Sequence, residues 1–128
     1  MSNDRHPHVQ LLDRIIAAAE AGDPSDLPNV YAPDAVIWHN HDNKDTTVQQ
    51  NMRVLAGIAK YVDNRKYENR RIQVFEGGVM QQHILTGVKK STGEKLALHA
   101  CVICHVKDGR ITRLDEYLDS AEAMRFGR

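Results

Sequence analysis

The chain has 128 residues, the length of one domain, and can bury a core without disulfide or metal staples. Its 17 Lys and Arg balance 17 Asp and Glu, which argues against a protein built to hold a phosphate backbone or an anionic lipid surface. At 41% apolar and 27% charged it reads as a folded globular chain; no stretch is apolar enough for a membrane span, and MSNDRHPHVQ lacks the core of a secretory leader.

Val9, Leu12, Ile15, Ile16 and Ala19 recur at helical spacing, with Pro7 suited to the first turn and Gly22 to the terminus. DPSDLP then turns the chain into a short helical piece, LPNVYA. Ala35 to Trp38 reads as a strand running into the polar cluster His39-Asn40-His41-Asp42-Asn43. Thr46 or Thr47 is placed to cap a second long helix, striped by Val48, Met52, Leu55, Ala59 and Val62. From Tyr67 the period becomes two. Four strands follow, Tyr67 to Phe75, Val79 to Lys89, Lys95 to Val106 and Arg110 to Leu118, joined by turns at Gly77-Gly78, Ser91-Thr92-Gly93 and Lys107-Asp108-Gly109. Helices first and a meander afterwards give an α+β layout, with helices on one face of an antiparallel sheet.

Alternation splits the long third strand of this meander into two sets. Leu96, Leu98, Ala100, Val102, Cys104 and Val106 form an apolar set that should face the helices. Lys95, Ala97, His99, Cys101, Ile103 and His105 form a mixed set that suits the interface with a second subunit. Cys101 and Cys104 have CxxC spacing, but on one strand they point to opposite faces and cannot share a metal or a disulfide easily. With only these two cysteines, a reducing cytoplasm is the expected location.

YAPDAVIWHN after the first helix and KDGRITRLDEYLD at the end resemble the SnoaL-like branch of the NTF2-like superfamily, from about Val9 to Asp119. Its relatives include ketosteroid isomerases, limonene-epoxide hydrolases and polyketide cyclases. The resemblance implies a cystatin-like cone: a curved sheet wrapped around the N-terminal helices, enclosing a pocket and usually dimeric. The epoxide hydrolases' Tyr-x-Asn falls on Trp38-His39-Asn40, their Arg-x-Asp on His83-Ile84-Leu85, and their last Asp on Glu116. An amide, an imidazole and one carboxylate therefore stand where that network would be. The isomerases' proton-shuttling Asp also falls on Asn40, and their oxyanion-hole Asp near Ala100 or Cys101.

The expected site is thus His83, Glu116 and Asn40. His83 would be the base or proton shuttle, paired across adjoining strands with Glu116 as its orienter, and Asn40 would hold a water or oxyanion. Trp38, Leu85, Leu98, Ala100 and Leu118 are the expected apolar walls around a small apolar ligand. No cofactor or metal is called for. His39 and His41 read as a strand-end loop, because His39 alternates away from Trp38 and Asn40. Arg65, Lys66, Arg70 and Arg71 read as a charged strand edge rather than a nucleic-acid surface, and His6 and His8 as terminal residues without a role. The expectation is one domain over residues 1–128 forming a homodimer, and acting either as a cofactor-independent isomerase, cyclase or hydrolase or as a non-catalytic binding module.

Overall fold

The computed structural model describes residues 6–127. The ends of the 1–128 span, including the Met1–Arg5 start read against a leader, lie outside the described residues. Helix α1 runs Pro7–Ala21 and stops at Gly22, whose left-handed φ of 72° lets its N–H reach back to the Ala18 carbonyl. A Cβ at Gly22 would meet Ala59 Cβ at 2.8 Å, so the same glycine also admits the neighbouring helix. His6 is not idle: its ring accepts the His8 amide and caps α1. After a 3₁₀ turn at Pro24–Asp26 and a single-turn helix α2 at Leu27–Val30, strand β1 spans Tyr31–His39, starting earlier than expected. Three residues, Lys44–Thr46, form β2, which sequence patterning did not reveal. Thr47 rather than Thr46 caps α3, Val48–Tyr61, in a reciprocal capping box with Gln50.

The four later strands are β3 Val62–Phe75, β4 Gly78–Lys89, β5 Lys95–Lys107 and β6 Arg110–Leu118. They pair as the expected antiparallel meander. The sheet order is β2-β1-β6-β5-β4-β3, however, and β1 lies parallel to β6. The α+β cone is therefore built on an open mixed sheet rather than a purely antiparallel one. A parallel pair between the first long strand and the last has no local signal, since the whole chain intervenes.

Curvature is set on β3. Its ladder with β4 slips between Asp63 and Lys66 and again between Glu68 and Arg71. At these breaks Asn64 and Asn69 take positive φ of 56° and 55°, which asparagine tolerates better than most residues. The bent sheet holds α1 on its concave side, and Val9, Leu12, Ile16, Leu27, Val30, Tyr31, Ile37, Val102, Cys104 and Ile111 close one continuous core.

A last helix, α4 at Ser120–Met124, also lacked a sequence signature. Strand β6 ends opposite Ala100, so the first residues of β5 have no neighbour there. Helix α4 fills that gap: the Asp119 amide donates to the His99 carbonyl, and the His99 amide donates to Glu122. Phe126 then tucks in, 4% exposed, against Val62, Leu85, Leu96 and Leu98. Both cysteines are free, with Cys104 buried and Cys101 half-buried on the other face. Among the described residues, no helix is long and apolar enough to cross a membrane.

Candidate functional site

A cavity of about 350 Å³ lies between the concave sheet and the helices. Leu12, Ile15, Ile16 and Ala19 of α1 and Leu55 and Ile58 of α3 supply its apolar roof. Val48 is the only residue of α3 that is buried, and Val54 is 56% exposed. The helix therefore spans the hollow instead of packing onto solid core. Leu85, Leu98 and Leu118 lie in the wall, where the apolar ligand contacts were expected.

His83 and Glu116 both face this cavity, but they are not neighbours. Strand β5 separates them, with Gln81, Val102 and Glu116 in one row and His83, Ala100 and Leu118 in the next. Two strand spacings of about 4.8 Å each keep the side chains from pairing directly. The imidazole–carboxylate pair is instead His39 with Glu116, at 2.9 Å and 19% exposure of each side chain. Residues directly across the parallel β1–β6 ladder, they share a face. Burial alone would hold the His39 ring neutral, but the hydrogen bond and charge of Glu116, with Asp42, raise its pKa above the ordinary value. Glu116 therefore favours the protonated, ion-paired form of His39 at the cavity wall.

The inward set of β1 is Ala35, Ile37 and His39, with Ala35 4% and Ile37 1% exposed. Trp38 and Asn40 consequently turn the other way, opposite to expectation. Trp38 stacks edge-on against Tyr117 and donates to Asn43. The Asn40 amide is used twice by the Leu118 backbone, accepting from its N–H and donating to its carbonyl, and so pins the end of β1 to β6. Ala100 is also absent from the cavity walls. Its methyl group is too short to reach past its ladder partners His83 and Leu118, and it borders an open groove that it shares with Asn40.

His83 is 5% exposed, with its ring 4.7 Å from that of Tyr67. Its Nδ1 bonds Gln81 Nε2 at 2.9 Å, while its Nε2 is the one buried side-chain nitrogen or oxygen without a partner among the described residues. Leaving such a group unpaired costs about 1–3 kcal/mol, which a ligand with a matching atom would recover. Burial pushes the His83 pKa down, Glu116 opposes this, and Arg70 adds to it. Burial likewise drives the Tyr67 hydroxyl far above its ordinary range, with Glu116 and Glu20 adding to the effect.

Two residues of the presumed charged edge serve the interior. Arg70 donates to Gln81 Oε1 at 2.7 Å and to Asp13 of α1. Arg65 donates to the Ala19 and Glu20 carbonyls at the end of α1, and to the Val62 carbonyl. Sequence reading missed His39, Gln81 and Arg70. The alternation Ala35-Ile37-His39 was available as a signal for the first, but Trp38 made the opposite set look equally apolar.

A family model described as a SnoaL-like domain matches residues 12–114. Among solved structures, the chain is similar to a Jannaschia sp. CCS1 protein assigned by name to the SnoaL-like polyketide cyclases, at 14% identity and TM-score 0.80, covering 97% of this chain and 93% of that one. A Catenulispora acidiphila protein with a ketosteroid isomerase-like fold, in complex with trimethylamine, matches at 14% identity and TM-score 0.78, covering 92% of each chain. An LEH-like epoxide hydrolase of M. tuberculosis matches at 16% identity and TM-score 0.72, covering 94% of this chain and 88% of that one. At these identities the likeness is one of fold. No curated protein matches by sequence.

Proposed function

The chain belongs to the SnoaL-like domain family, and from that premise we propose that it is a small cofactor-independent enzyme acting by acid/base chemistry on an apolar metabolite held in the cavity. The observation that carries this reading is the composition of the cavity wall. Leucine and isoleucine supply its roof and much of its wall, and among them stand an ion pair, His39–Glu116, and an imidazole, His83, whose Nε2 has no partner among the described residues. Glu116 is the group that exchanges a proton with substrate, and His39 holds it in place and balances its charge. His83 meets the substrate from the other side of β5. Asn40 acts from outside the cavity, by fixing the β1–β6 register that brings His39 to Glu116.

Screening the protein against epoxides, lactones and enones tests the reading. Turnover that collapses in both Glu116→Gln and His83→Ala supports it. Absence of turnover with unchanged ligand affinity in both variants overturns the catalytic assignment and leaves a binding module. That second reading draws support from the mutual satisfaction of His39 and Glu116 at 2.9 Å. The outer face, with Phe75 and Tyr117 38% and 48% exposed, is where a second copy would dock, and light scattering on the intact chain tests the expected homodimer. Two free cysteines favour a reducing compartment such as the cytoplasm.

A further inference from the structure

We propose that Asp13, Arg70 and Gln81 form a relay that holds His83 as a neutral ring with its proton on Nε2, giving the cavity a fixed hydrogen-bond donor for a ligand's carbonyl oxygen. The argument starts at the surface. A guanidinium can only donate, so Arg70, anchored on Asp13, requires the oxygen of the Gln81 amide to face it. That leaves the Gln81 NH₂ turned to His83 Nδ1. An NH₂ group can only donate, so Nδ1 must accept through its lone pair and cannot carry a proton. The neutral ring then bears its hydrogen on Nε2. Protonating the ring would set one N–H against another at Nδ1. The charged groups bearing on the ring are Arg70, which opposes protonation, and Glu116, which favours it, while Tyr67 packs beside it; burial settles the balance toward the neutral form.

The consequence is a division of labour. His83 cannot take a proton on Nε2, because that nitrogen already has one, so it cannot serve as the base. It offers an N–H to an acceptor atom, and it is buried, preorganised and unpartnered, as a donor for a carbonyl oxygen should be. An uncharged ketone, lactone or enone fits this donor, whereas a hydrocarbon of the same shape would leave it unpaired. The choice of ligand class rests on the cavity being a small-molecule site; the state of the ring stands on the chain alone.

Long-range proton–nitrogen correlation NMR of the ¹⁵N-labelled protein reads the ring directly. His83 should show a protonated Nε2 and a bare Nδ1, unchanged from about pH 8 to about pH 6. In Gln81→Glu the carboxylate can only accept, so Nδ1 should gain a proton and its bare-nitrogen signal should be lost. Arg70→Met, at a half-exposed position, frees the amide to turn and should give a mixture of the two tautomers. A wild-type ring protonated on Nδ1, or a Gln81→Glu ring identical to wild type in a folded protein, overturns the proposal. Cyclohexanone should shift the His83 Nε2 signal and methylenecyclohexane should not. Equal shifts, or none with ketone, overturn the assignment of a carbonyl ligand. If the methyl signals of Leu85 and Leu98 also stay silent to both probes, the small-molecule reading itself fails, while the tautomer result stands separately.

Discussion

Replacing Glu116 by Gln keeps the shape of the side chain and removes its charge, leaving His39 its hydrogen bond but not its counter-ion. The size of the effect follows from the geometry. At 2.9 Å and 19% exposure, the bond is charge-assisted and largely shielded from water. Charge-assisted hydrogen bonds contribute about 1.5–3 kcal/mol, against about 0.5–1.5 for neutral ones. With His39 protonated, Glu116→Gln should therefore cost the difference, about 1 kcal/mol. The sign with pH is fixed by the raised pKa of His39. The folded state binds that proton more tightly than the unfolded chain, so the stabilisation is complete below the ordinary value of 6.5 and is lost as pH rises through the folded value. As pH rises toward about 9 the ring gives up its proton, and the cost should fall to about half of that or less. Urea unfolding of wild type, Glu116→Gln, His39→Gln and the double variant, at about pH 6 and about pH 9, yields the coupling energy at each pH. Circular dichroism is the better readout, since Trp38 stacks on the residue next to Glu116. A coupling that is constant or grows with pH would refute the ion pair.

His83 should act in the opposite sense. Its lowered pKa means that acidification below 6.5 destabilises the fold, and His83→Asn, which keeps an acceptor for Gln81, should flatten stability on the acid side when melts are compared at about pH 7 and about pH 5. Arg65→Met removes the donors to three main-chain carbonyls, two of them in the last turn of α1, and should cost about 2–4 kcal/mol in urea. Arg65→Lys should restore only part of that, since an ammonium lacks the planar fork; full rescue would point to charge alone. Phe126→Ala should cost about 3 kcal/mol and speed hydrogen exchange at the His99 amide, which α4 protects through Glu122. An unchanged exchange rate would show that Phe126 does not dock α4.

What the sequence disclosed and what it hid divide along the distance over which each signal acts. Pro7, Gly22, Thr47 and the glycine turns are local devices, and the structure uses each of them at or within a residue of the expected place. The inward set of β5 was legible because six alternating residues are all apolar, even though their ladder partners include Gln81, His83 and Glu116. In β1 the pattern was ambiguous: Val36 and Trp38 balance Ala35 and Ile37, and only the ladder to β6 decides between them. That ladder brought His39 to Glu116 and carried Asn40 away. Arg70 looked like solvated edge charge because its true partners lie on α1 and β4, and nothing in its immediate neighbours announces them.

The seat of β6 between β1 and β5 has a consequence for the order in which the molecule can be made. A ribosome releases His39 well before Glu116, so the ion pair cannot form until β6 has emerged. Until the final strand threads into its slot, β1 and β5 both present bare backbone rims, the condition in which nascent chains adhere to one another. The arrival of β6 therefore both completes the His39–Glu116 pair and covers those two rims.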